Sequence, residues 1–338
     1  MNVSNMQPGT QQEAVLSVAG LKTWFAMREG MVRSVDGVDL ELARGEIVGL
    51  VGESGSSKSV TGFSIMGLVD PPGRVVSGRV LLGGRDLVAE TPEALRSLRG
   101  RKLAMIFQDP MMTLNPVLSV GTQMTEAVTA HAKVSRRQAR ERALQSLVRV
   151  GIAAPEKRLA AYPHELSGGM RQRVAIAIAL LHQPDVIIAD EPTTALDVTI
   201  QGQILYEVQR LCRESRTALL WITHDLAVVA GLANRVAVMY AGRIVESAPT
   251  RALIERPRHP YTAGLIGAVP RIGQAHGQAL AQIPGSAPNP LEPRTGCSFA
   301  PRCSRAQPKC REHEPELTSP SPGVSWRCWF PLGTAEAA

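Results

Sequence analysis

LSGGMRQR at 166–173 and VIIADE at 186–191 are the two stretches on which the reading of this chain turns. The first offers the Ser167 hydroxyl and the unshielded backbone N–H groups of Gly168 and Gly169 at the expected start of a helix, where the dipole attracts anions. That is half of a phosphate site. The second is an apolar strand ending in two adjacent carboxylates, Asp190 and Glu191, the arrangement a metal-nucleotide hydrolase requires.

The other half of a phosphate site lies upstream. GESGSSKS at 52–59 has the spacing of a phosphate-binding loop: Gly52, Glu53, Ser54, Gly55, Ser56 and Ser57 supply successive backbone N–H groups, Lys58 neutralises the outer phosphates, and Ser59 places a hydroxyl on Mg²⁺. A buried-strand run at 47–51 enters the loop, and the pattern predicts a helix over 58–68 after it. One position departs from the pattern. Glycine is expected before the lysine, and Ser57 stands there with a Cβ that crowds the loop or restricts its backbone. Asp190 is expected to hold Mg²⁺ through water, and Glu191 to polarise the attacking water as general base.

Working outward, short β-type runs between Ala14 and Leu50 are broken by Gly30, Gly37 and Gly45, which predicts an antiparallel subdomain feeding one core strand. Residues 120–150 read as helical, with Arg136, Arg137, Arg140, Glu141 and Arg142 on a charged face against Leu144, Leu147 and Val148. Strands at 186–189, 218–222 and 235–239 alternate with helices, the signature of an α/β fold with a mostly parallel sheet. Beyond about residue 256 the texture changes to many prolines, little periodicity and four of the five cysteines. The expected division is a mobile N-terminus at 1–13, one domain at 14–256 with a helical subdomain at about 110–172, and a small irregular extension at 257–338.

With 338 residues the chain is long enough for one large domain and something smaller. It has no apolar run of about 18 residues that would span a bilayer, and its first residues lack the basic and apolar regions of a secretory leader, so a cytosolic setting is expected. The net charge of +7 comes from scattered arginines, and aromatics make up only 4%, which argues against nucleic acid as a partner.

Taken together, the loop at 52–59, LSGGM and VIIADE resemble the Walker A, signature and Walker B motifs of the ATP-binding cassette ATPases, and the resemblance covers nearly the whole chain after residue 14. It implies a P-loop NTPase core with an antiparallel β subdomain and a helical signature subdomain, binding ATP and Mg²⁺. Gln108 in MIFQDP resembles the Q-loop glutamine that contacts Mg²⁺ and the attacking water, Ala195-Leu196-Asp197 the D-loop between subunits, and His224 in WITHDL the switch histidine at the γ-phosphate. The position of the adenine-stacking aromatic falls on Phe25, with Trp24 as its alternative. In this family Ser167, Gly168 and Gly169 complete the site of the opposite subunit.

RPRHPYTAGLIGAVPR at 256–271, IPGSAPNP at 283–290 and CSFAPRC at 297–303 resemble the branch of that family that energises bacterial dipeptide and oligopeptide importers, with nickel, glutathione or other peptide-like cargo carried by sister systems. The resemblance implies a peripheral ATPase at the cytoplasmic face of the inner membrane, docked on two permease subunits and served by an extracytoplasmic peptide-binding protein. Its second ATPase is expected to be a related paralogue in a heterodimer, and Ser57 raises the alternative of an attenuated half-site. Cys297, Cys303, Cys310 and Cys328, spaced C-x5-C-x6-C-x17-C in a segment with little core of its own, point to a metal staple. Zinc sites more often carry C-x2-C pairs, four cysteines also suit a 4Fe-4S cluster of the kind some peptide-importer ATPases carry, and unligated thiols complete the alternatives. Cys212 is expected to be a core thiol.

Overall fold

Alternating burial carries the N-terminal part of the chain into an antiparallel sheet. The computed structural model describes residues 14–194, 196–269, 282–292 and 295–333; the expected mobile stretch 1–13 lies outside them. Strands β1 (Ala14–Met27) and β2 (Gly30–Ala43) form a long hairpin, paired from Ala14↔Ala43 to Met27↔Gly30. Leu16, Val18, Leu21, Val35, Val38 and Leu42 are buried on its inner side. After β3 (Ile47–Val51), which belongs to a second sheet, β4 (Gly73–Leu82) and β5 (Arg85–Asp86) complete the order β2-β1-β4-β5.

The second sheet adds β6 (Leu103–Ile106), β7 (Val186–Asp190), β8 (Ala218–Thr223), β9 (Arg235–Tyr240), β10 (Arg243–Pro249), β11 (Thr318–Ser321) and β12 (Val324–Trp326). Its order is β11-β12-β10-β9-β3-β8-β7-β6. The five strands from β9 to β6 run parallel, and β10 to β12 are antiparallel. Every residue of β3, β7 and β8 is buried, as befits strands covered on both faces. This is the P-loop ATPase fold expected from the sequence, its mostly parallel sheet extended by three antiparallel strands.

Register decides where the loops meet. Val51 lies beside Thr223, and Ile222 beside Asp190, so the carboxyl ends of β3, β8 and β7 stand in one row and deliver the segments at 52–57, 191–194 and 224 to a single edge. The helix after β3 is Lys58–Met66; it stops short of residue 68 because Gly67 takes the left-handed conformation that closes a helix. The region read as helical over 120–150 is two helices, Val120–Thr129 and Arg136–Arg149. The division comes from Ser135, whose hydroxyl accepts from the Gln138 amide while the Gln138 side chain accepts from the Ser135 amide, a capping box that starts a new helix. Met124, Ala143, Leu147 and Leu159 pack with Val174 of the helix Gly168–Leu180 to bury this subdomain's inner face. Cys212 is buried within Val198–Ser215, and burial pushes its thiol up to about 12.

Beyond residue 256 the chain is tied to the main sheet. Strand β12 pairs with β10 through Glu246↔Trp326 and Ser247↔Ser325. Between them His259 caps the helix Pro260–Ala268, its Nδ1 accepting from the Tyr261 amide. The buried Glu246 carboxylate accepts from the amides of Arg258 and His259, so this turn carries its own internal acceptor.

Complete burial holds the His259 pKa down to about 3. In the unfolded chain the imidazole protonates near 6.5, so below that pH the unfolded state binds a proton the folded state refuses, and stability falls by up to about 1.4 kcal/mol per pH unit. The melting temperature is expected to drop more steeply between pH 7.5 and 5.5 in the natural protein than in His259→Asn, whose amide caps the helix without titrating. Equal slopes in a thermal-melt series would remove His259 as the origin.

Candidate functional site

At the shared strand edge a cavity of about 480 Å³ is lined by the whole of 53–59 together with Gln108 and Glu191. The loop's shape follows from its residues. Gly52 runs against the chain at β9, where a Cβ would stand 2.2 Å from the Met239 carbonyl oxygen, so only glycine fits. Ser57 sits at φ 75°, ψ 25°, the left-handed conformation that makes glycine the expected residue there. The serine adopts that conformation, and its hydroxyl accepts a hydrogen bond from the Ser34 hydroxyl at 2.9 Å. Lys58 is 5% exposed and donates to the carbonyls of Gly52 and Glu53. Burial lowers its pKa, against the opposing pull of Glu191, Asp190 and Glu53.

The carboxylates are differently housed. Asp190, 3% exposed at the end of β7, accepts from the Ser59 hydroxyl at 2.9 Å. Burial raises its pKa and the Glu191 charge adds to the rise, against the Ser59 hydrogen bond and Lys58. Ser59 and Asp190 are the hard oxygen donors that suit Mg²⁺; Ser59 lines the cavity and Asp190 lies behind it, hydrogen-bonded to its hydroxyl. Glu191 takes φ 43°, an uncommon backbone for a non-glycine residue. Its carboxylate meets three partners, Gln108 Nε2 at 3.3 Å, His224 Nδ1 at 3.2 Å and Thr194 Oγ1 at 3.1 Å. Gln108 therefore faces Glu191 directly, and Ser59 faces Asp190.

Ser167, Gly168, Gly169 and Asp197 do not line this cavity. Ser167 is exposed and caps Gly168–Leu180 by accepting from the Met170 amide, which leaves that helix start facing outward. Asp197 caps Val198–Ser215 in the same way, through Ile200; Ala195 of the same expected loop lies outside the described residues. Phe25 is not among the lining residues either. Its ring lies over Gly73 of β4, so close that a Cβ there would meet it at 2.4 Å, while Trp24 carries the Arg33 guanidinium 4.9 Å above its ring. Arg33 and Val32, from the next strand of the hairpin, line the cavity instead. Phe25 pairs with Val32, which places it on the strand next to the cavity wall, with its ring against Gly73.

The cysteines Cys297, Cys303, Cys310 and Cys328 line one small pocket with Phe299, Trp329 and Phe330. Burial raises the pKa of Cys297 and Cys303 and pushes Cys328 up to about 11. The metal staple expected there has no single-ion counterpart: among the described residues, no group of three or more His, Cys, Asp or Glu is placed to hold a metal ion.

Several residues of the cavity were silent in the sequence. Ala287, Pro288 and Pro290 line its mouth. The Tyr261 hydroxyl accepts from the Glu53 amide, and the Arg302 guanidinium grips the Glu53 carboxylate. His-Pro-Tyr and IPGSAPNP were visible as motifs, but contacts spanning 208 and 249 residues leave no local pattern to read.

Residues 35–194 match the family described as ABC transporter, and residues 245–310 the one described as the C-terminal region of oligopeptide/dipeptide transporters. The chain is 49% identical to a probable peptide ABC transporter ATP-binding protein, y4tR, of Sinorhizobium fredii, over 96% of its own length and 97% of the relative's. It belongs to the ATP-binding cassette ATPases of the oligopeptide/dipeptide transporter family. The oligopeptide transport ATP-binding protein AppD of Bacillus subtilis is 47% identical over 94% of this chain and 96% of that protein, and the dipeptide transport ATP-binding protein DppD of Escherichia coli 45% identical over 95% and 98%. Among solved structures, the ATP-binding cassette MJ0796, dimeric in a post-hydrolysis state with ADP and phosphate, superposes with a TM-score of 0.63 at 27% identity over 70% of this chain and 99% of its own. No helix among the described residues of this cassette ATPase is long and apolar enough to cross a membrane.

Because Ser57 already holds the conformation the loop needs, Ser57→Gly is expected to leave MgATP affinity within about threefold, under 1 kcal/mol. Ser57→Val, with a β-branched side chain that the left-handed region excludes, should weaken binding by about tenfold or more and lower the melting temperature. Isothermal titration of both variants checks this; a large gain on Ser57→Gly would show that the serine holds the site down.

Proposed function

We propose that the chain is the energy-coupling ATPase subunit of an importer for dipeptides or oligopeptides, with the cavity at 53–59 as its ATP site. The observation that carries the reading is the meeting of Gln108, His224 and Glu191 beside Lys58, Ser59 and Asp190 at one strand edge. In this reading the amides of 52–57 and the Lys58 ammonium wrap the phosphates, and the base stands beneath Val32 and Arg33. Ser59 and Asp190, with Gln108 near, would hold Mg²⁺, which when bound would supply positive charge beside the phosphates. Glu191 accepts the proton of the attacking water, while Gln108 and His224 hold that carboxylate in place from two sides.

Ser167, Gly168, Gly169 and Asp197 act on a second subunit's nucleotide; their outward placement and the dimeric state of MJ0796 support this. The second ATPase is a related paralogue, docked with this chain on two permease subunits at the cytoplasmic membrane face and served by an extracytoplasmic peptide-binding protein. The names of the close relatives support the cargo. Residues 14–256 then form the cassette and 257–338 the extension typical of this branch, a division supported by the two matched families.

The four cysteines of that extension hold a 4Fe-4S cluster. Four thiols lining one pocket are a suitable ligand set for a cluster, whereas a lone zinc ion needs sulfurs gathered around one point. When bound, the cluster would supply covalent links between four separated stretches of chain. Aerobic loss of a visible absorption band together with stoichiometric iron in anaerobically purified protein is the expected result; a colourless protein with zinc or no metal rejects it.

For the ATPase itself, Glu191→Gln in the assembled transporter should slow hydrolysis by about 10²- to 10⁴-fold with MgATP affinity retained. Lys58→Ala should abolish that affinity. Normal turnover in either variant, measured by phosphate release, would refute the site.

A further inference from the structure

Arg302 lies far in sequence from every motif of the ATPase core, yet its guanidinium joins the phosphate loop to the turn at 283–290. The side chain is 6% exposed. All five of its N–H groups are engaged: Nη1 and Nη2 each take one Glu53 carboxylate oxygen, at 2.7 and 3.0 Å, Nη1 reaches the Tyr240 hydroxyl at 3.4 Å, Nε donates to the Pro284 carbonyl at 2.8 Å, and Nη2 to the Ile283 carbonyl at 3.4 Å. Glu53 is the second residue of the phosphate loop, and its amide is held separately by the Tyr261 hydroxyl at 2.9 Å. Pro284 begins the turn that brings Ala287, Pro288 and Pro290 to the cavity mouth. Tyr240, Tyr261 and Phe299 pack ring against ring beneath the guanidinium, with centroids 4.6 to 5.4 Å apart, and fix its height.

We propose that Arg302 is a positioning residue for nucleotide binding, which sets the phosphate loop through Glu53 and holds the proline turn at 283–290 against the mouth of the same cavity. The proposal rests on the reading of that cavity as the ATP site. A bidentate guanidinium–carboxylate pair fixes the Glu53 side chain in two dimensions, and the carbonyl bonds on its other edge fix the turn in the same plane. A loop already ordered before ATP arrives is spared the cost of ordering on binding. Arg302 touches no reacting atom, so its effect falls on binding and not on the chemical step. Its neighbour Cys303 lines the cysteine pocket, which puts the order of that pocket and the order of the phosphate loop on adjacent residues.

The test is MgATP kinetics of the assembled transporter together with equilibrium MgATP binding to the full chain. Arg302→Gln should raise KM and Kd by about tenfold, as expected when one or two loop residues must be ordered by the ligand, with kcat at saturating ATP within about twofold. Arg302→Lys should recover only part of the affinity, because one ammonium cannot replace five donors in a fixed plane. A lower kcat in proportion to lost folded protein, with KM unchanged, would mark Arg302 as merely structural and overturn the proposal. If Arg302→Gln does not fold, Glu53→Gln decides: it keeps the arginine and its carbonyl bonds, and an unchanged Kd overturns the proposal. Lys58→Ala separates the two readings. Lost binding in Lys58→Ala beside normal binding in the Arg302 and Glu53 variants refutes Arg302 alone, and normal binding in Lys58→Ala refutes the ATP site itself.

Discussion

The parallel pairing of β3, β8 and β7 is the constraint on which the rest depends. Three buried strands held in register end level with one another, so a loop, a carboxylate pair and a histidine from residues 52 to 224 reach the same edge without any long-range design in the loops themselves. Burial on both faces is what enforces that register, since a slip by one residue would move every apolar side chain of β3 or β8 to the opposite layer. The chemistry therefore sits on the most rigid part of the molecule, while the antiparallel sheet and the helical subdomain are added around it.

Within that frame, strain is concentrated where charge has to be placed. Ser57 and Glu191 are the two non-glycine residues at the cavity with left-handed backbones among the described lining residues other than Ala241. One sets the turn that presents Lys58, the other turns the carboxylate out of β7 toward Gln108 and His224. Both conformations persist because neighbours over-determine them: the Ser57 carbonyl accepts from Thr61, and the Glu191 amide donates to the Ile222 carbonyl.

Contiguous chemistry was legible in the sequence, and chemistry assembled across the chain was not. The loop at 52–59, Asp190 and Glu191 each lie within a single strand and turn, so their pattern survives in one dimension, and Gln108 and His224 were found by their neighbours. Residues 120–150 were read as helical without a break, whereas the capping of Ser135 with Gln138 starts a second helix there. Phe25 was placed by its family position, and nothing in the sequence reveals that β4 presents Gly73 opposite its ring. The texture beyond residue 256 suggested independence from the core, yet Tyr261, Arg302 and β12 each reach back into it, by pairings with no sequence period of their own.

The last two strands also settle what becomes of the sheet's open side. Without them β10 would present a row of unpaired amides and carbonyls beside the buried run Ile244 to Ala248, a template for another chain. β12 covers that row, and β11 then forms the new border with four exposed residues, TSPS, among them Pro320, which has no N–H to offer a further strand. The cysteine-rich extension thus ends as a selvedge: it finishes the fabric of the sheet and leaves a border with little to offer a further strand.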